Sequence, residues 1–65
     1  MTPMQLRLAR TVLKWGVREL AEASGITANT ISRIENGNDA KQSTILQLRK
    51  VLEERGVIFI EDGKT

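Results

Sequence analysis

The sequence predicts an all-α domain of about four helices followed by one short β-strand, and three observations predict it. Apolar residues recur at spacings of three and four along four separate stretches. Gly16, Gly25, Gly37 and Gly56 punctuate those stretches. One further stretch, VIFI at residues 57–60, abandons the helical period for consecutive β-branched and aromatic residues.

The first helix is expected from Pro3 to Lys14 or Trp15. Thr2 stands where a cap would, Pro3 suits the first helical position, and Gln5 completes a capping box. Leu6, Ala9, Leu13 and Val12 share its inward face, and Gly16 is a natural stop. Trp15 is expected to cover one end of the core. VRELAEAS makes a short second helix closed by Gly25. Thr27 then caps a third, ANTISRIEN, in which Ile31 and Ile34 lie on one face. Ala28, Asn29, Ser32, Arg33 and Asn36 lie on the other. A fourth helix follows the loop NDAKQS, with Thr44 and Gln47 as a second capping box and Ile45, Leu48, Val51 and Leu52 as its apolar stripe.

Composition closes off several functions. The chain of 65 residues has no Cys and no His, which removes disulfides, thiolate metal sites, the commonest general base and the commonest neutral metal ligand. No metal, cofactor or catalytic residue is expected, and an enzyme is the weakest reading. No apolar run approaches a membrane span and the N-terminus lacks a signal-peptide core, so a cytoplasmic protein with no membrane partner is expected. Residues 1–52 carry eight Lys/Arg against four Asp/Glu, whereas residues 53–65 carry two against four. A basic body with an acidic end suits a polyanion partner, and equally suits ordinary solubilising charge.

The second and third helices carry the functional signal. Ala21 is small where two steeply crossing helices approach, Gly25 supplies a turn tolerant of positive φ, and Leu20, Ile26, Ile31 and Ile34 are apolar where the helices face each other. This is the helix-turn-helix pattern, over about 17–36, which offers the exposed face of its second helix to the DNA major groove. The text RELAEASGIT-ANTISRIENG resembles the phage-repressor/Cro type of helix-turn-helix protein, the XRE family, and the resemblance runs from about Thr2 through the fourth helix. TPMQLRLAR and GVIFI also match the opening and closing segments of short bacterial members. It implies a lambda-repressor-like fold, one domain over residues 1–65, and transcriptional control, usually as a homodimer on two-fold double-stranded DNA.

On that resemblance Ala28, Asn29, Ser32 and Arg33 are expected to contact bases: Asn pairs two-pronged with adenine, Arg with guanine, and a small Ala touches a thymine methyl. Arg18, Thr27, Thr30, Asn36, Asn38, Lys41 and Gln42 are expected to contact phosphates, which position the protein without reading sequence. Arg7, Lys14, Arg49 and Lys50 read as surface charge. Similar proteins pair an Arg of the first helix with a Glu ending the third, which implies a structural salt bridge between Arg10 and Glu35. They also carry Ser or Thr, then Gln, where this chain has Gly16 and Val17. That departure weakens the second helix's cap by a few tenths of a kcal/mol and leaves Val17 only an apolar contact to offer.

Members commonly have a fifth helix where this chain turns to GVIFI. The strand expected over about 57–61 has no partner strand pattern in the chain. Val57, Ile58, Phe59 and Ile60 are therefore expected to pair antiparallel with a second copy. A turn of helix on the core is the alternative. A transcriptional regulator, read as a repressor in a bacterium or phage, is one reading. An antitoxin with a toxin as protein partner, and an interaction module that has lost DNA binding, are the others.

Overall fold

The computed structural model describes residues 1–59. Four helices make up the order: α1 (Pro3–Val12), α2 (Val17–Ser24), α3 (Ala28–Glu35) and α4 (Gln42–Glu54). Each supplies apolar side chains to one core: Leu6 and Ala9 from α1, Leu20 from α2, Ile31 and Ile34 from α3, and Leu48, Val51 and Leu52 from α4. α3 packs on both α1 and α2, and α4 closes the other side against the same two helices. Leu13, Trp15, Val17, Ala21, Ile26, Ile45, Val57 and Phe59 line the margin of that core.

The helix starts follow their side-chain chemistry in three cases of four. The Thr2 hydroxyl accepts from the Gln5 amide while the Gln5 side chain accepts from the Thr2 amide, so the capping box at α1 is complete. The Thr27 hydroxyl accepts from the Thr30 amide at 3.2 Å and caps α3. At α2 the cap residue is Gly16, which has no hydroxyl, yet its amide donates to Glu19 Oε1 at 2.8 Å. Half of a capping box therefore survives there. A Cβ at position 16 would lie 2.7 Å from that same oxygen, the tip of a flexible side chain, so a Ser there would require a small shift of Glu19.

Two boundaries differ from expectation. Helix α1 ends at Val12, and Lys14 rather than a glycine takes the left-handed turn, at φ 59°. The Lys14 amide donates to the Thr11 carbonyl and the Trp15 amide to the Arg10 carbonyl, so a Schellman motif closes the helix before Gly16 is reached. Val12 consequently points to solvent, 71% exposed, instead of joining the inward face. Helix α4 begins at Gln42, not after Thr44. Thr44 lies inside the first turn and Gln47 is diverted to another helix, so no second capping box forms.

Val57, Ile58 and Phe59 follow Gly56 without regular structure, and no strand occurs among the described residues. The rest of the strand expected over 57–61, including Ile60, lies outside them. Trp15 is half-buried at the edge of the core, with the Arg55 guanidinium 5.1 Å from its ring centroid.

Candidate nucleic-acid interface

Helix α3 is held on one side and exposed on the other. Ile31 and Ile34 are buried, while Asn29 and Arg33 are exposed and Ala28, Thr30 and Ser32 are half-buried along the flanks. Ile34 follows Ile31 by three positions and Arg33 follows Asn29 by four, so helical geometry alone gives the two faces. The turn before α3 needs Gly25, whose φ of 78° is left-handed. Its amide donates to the Ala21 carbonyl and ends α2. Ser24, buried, accepts from the Ile26 amide through its hydroxyl at 3.1 Å. Gln47 of α4 donates to the Ser24 carbonyl at 3.0 Å. The turn is thus tied to α4 as well as to its own helices.

The far end of α3 is anchored by charge. Arg10 Nε and Nη2 donate to the two oxygens of Glu35 at 2.8 and 2.9 Å, a two-pronged pair. Arg10 Nη1 donates in addition to the Trp15 carbonyl at 3.0 Å. One guanidinium therefore joins α1, the α1–α2 connection and α3. Hydrogen bonding to Glu35 is the main cause that raises the Arg10 pKa; burial works against it and the charge of Glu35 adds to it. Arg7, read from the sequence as surface charge, brings its Nε to 3.6 Å from the same carboxylate. The Glu35 side chain is 5% exposed, and both arginines stand against this nearly buried carboxylate.

The expected phosphate contacts divide by what their side chains already do. Thr27 caps α3 and donates its hydroxyl proton to Thr30 Oγ1 at 2.9 Å, which leaves the Thr30 proton as the outward donor of the two. Asn38 is committed in part: its side-chain amide donates to the Arg33 carbonyl at 3.0 Å, alongside its backbone amide. Asn36, Lys41, Gln42 and Arg18 are exposed, at the end of α3, the start of α4 and the first turn of α2. Val17 is half-buried against the core margin. Among the described residues there is no cluster of acidic, His or Cys side chains able to hold a metal ion. Nor, among them, is any helix long and apolar enough to cross a membrane.

The sequence placed Ser24 in the turn but missed Gln47 and Arg7 as parts of this framework. Ser24 carried a weak signal, a small hydroxyl just before a turn glycine; Gln47 and Arg7 carried none.

A family model described as Helix-turn-helix matches residues 6–57, most of the chain. The chain belongs to that family, of the XRE type. It is therefore a DNA-binding transcription regulator in the broad sense, from a family that is generally not enzymatic. No curated protein and no solved structure matches it.

Proposed function

We propose that this helix-turn-helix chain acts, as one DNA-binding unit, as a repressor that binds a two-fold operator as a homodimer. Each copy sets α3 into the major groove, with successive grooves about 34 Å apart. The observation that carries the reading is the pairing of an exposed Asn29–Arg33 face with a back side held by Ile31, Ile34 and the Arg10–Glu35 bridge. A helix so fastened presents its side chains in fixed register.

Asn29 and Arg33 are the base readers, with Ala28 and Ser32 flanking them at closer range. Arg18, Thr30, Asn36, Lys41 and Gln42, with the free amides beside Thr27 and the remaining capacity of Asn38, hold phosphates. Val57 to Ile60 supply the contact between copies. Gly16 and Val17 favour one second reading, a protein-interaction module that has lost DNA binding, because the usual polar contact at that site is missing.

Selection of bound DNA from a random pool tests the proposal and yields a symmetric site if it holds. Arg33→Ala should cost about 1–3 kcal/mol and relax preference at one base pair, whereas Lys41→Ala should weaken all sequences alike and flatten the salt dependence. An Arg33→Ala chain with unaltered affinity and preference would remove α3 as the reader.

A further inference from the structure

Helix α1 has a side that neither the core nor α3 uses. Met4, Leu8 and Val12 follow one another at four-residue spacing and are 61%, 54% and 71% exposed. Beyond Leu8 and Val12 a groove of about 260 Å³ opens between α1 and the end of the described chain, lined by Gln5, Leu8, Val12, Val57, Ile58 and Phe59, with Ala9 at its floor. Ile58, on its other wall, is 84% exposed. Single exposed apolar side chains are ordinary; several around one groove mark a contact surface.

We infer that this groove seats a second copy of the chain, each copy laying Ile58 against the Leu8–Val12 wall of the other across a two-fold axis. The inference rests on the homodimer proposed above and adds α1 to it. Charge is what favours a second copy. A two-fold contact sets residues near the axis opposite their own copies, so any charge there would meet its like. Among the described residues that line the groove none is charged, in a chain with 28% charged residues. The ridge and its receptacle also lie side by side in one patch, as a self-complementary surface requires. Ile58 is held ready between fixed neighbours: the Val57 amide donates to the Leu52 carbonyl at 3.1 Å, and the Arg49 guanidinium stands 5.5 Å from the Phe59 ring centroid. No residue of α3 lines the groove, so the contact leaves Asn29 and Arg33 free. A chain of this size, with no cysteine to form a disulfide, gains from oligomerisation.

Val12→Lys and Ile58→Glu, made separately in the full chain, test this by sedimentation velocity. Both side chains are mostly in solvent, so the helical spectrum of each variant should match wild type; Leu8→Lys, on the same wall, replaces Val12→Lys if it does not. Each variant alone should weaken the dimer by about a hundredfold or more, since a lone charge would be buried against apolar surface. An equimolar mixture of the two variants should form a 1:1 heterodimer. The ammonium introduced by Val12→Lys in one chain then faces the carboxylate introduced by Ile58→Glu in the other, while the second contact stays native. A wild-type dimer unmoved by either variant overturns the interface and spares the homodimer. Loss of both single dimers without heterodimer on mixing overturns the proposed seating of Ile58. A wild-type chain monomeric at concentrations where it binds DNA overturns the homodimer and the interface together.

Discussion

Two ion pairs in this molecule have almost the same length and opposite significance. Arg10 Nε lies 2.8 Å from Glu35 Oε2, and Arg49 Nε lies 2.9 Å from Glu53 Oε2. The first joins side chains 17% and 5% exposed, from two helices; the second joins side chains 28% and 45% exposed, one turn apart on α4. Distance therefore decides nothing here. What differs is the water each charge would recover if its partner left, and whether the pair fastens one helix to another. The Glu35 carboxylate has little water to return to, and its loss removes the polar tie between α3 and α1. Glu53 is nearly half solvated whether paired or not.

Breaking the pairs should separate them in size. Glu35→Ala strands the Arg10 guanidinium and should cost about 3 kcal/mol in urea unfolding, with operator affinity falling as α3 loses its anchor. A cost below that of the surface pair would show that burial is not what distinguishes them. Arg10→Lys keeps the charge but cannot reach both carboxylate oxygens and the Trp15 carbonyl together, so about 1–2 kcal/mol should be lost. Glu53→Ala should cost about 0.3–0.5 kcal/mol, as exposed pairs one helical turn apart do. That small effect should fade in about 1 M salt, where screening acts within a few ångströms, while the Glu35→Ala effect persists.

The pH behaviour has a definite sign. The folded pKa of Arg10 is raised, so the stability it contributes is fully present below the ordinary arginine value and is lost only as pH rises through the still higher folded one. The arginine side of the bridge is accordingly silent across the whole range in which the protein would be handled.

The four helices were legible because apolar periodicity, the Thr2 and Thr27 caps and the turn at Gly25 all point the same way. Lys14 shows where legibility stopped. A left-handed helix end is read from sequence by its glycine, and a lysine that takes that conformation gives no sign, so α1 read as longer and Val12 as inward. Gln47 is the second case: Thr44-x-x-Gln47 has the spacing of a capping box, but the Gln side chain found the Ser24 carbonyl across the molecule. Local pattern cannot rank a local bond against a distant one. Of the interface, the division of α3 into a held face and an exposed face follows from spacing alone. Which polar side chains are already engaged, as Asn38 is with Arg33, depends on backbone geometry that residue identity does not carry.

That last contact has a further consequence. The Arg33 carbonyl receives both the backbone and the side-chain amide of Asn38, and Glu35, two residues on, is clamped by Arg10. The backbone carbonyl of Arg33 is therefore held by two donors at once. Only the side chain's own torsions remain to be ordered on binding, about 0.5–1.5 kcal/mol for one long side chain. If Arg33 reads a base as proposed, this clamp spares the backbone's share of the entropy lost on binding, while the reach of the side chain is set by its own torsions.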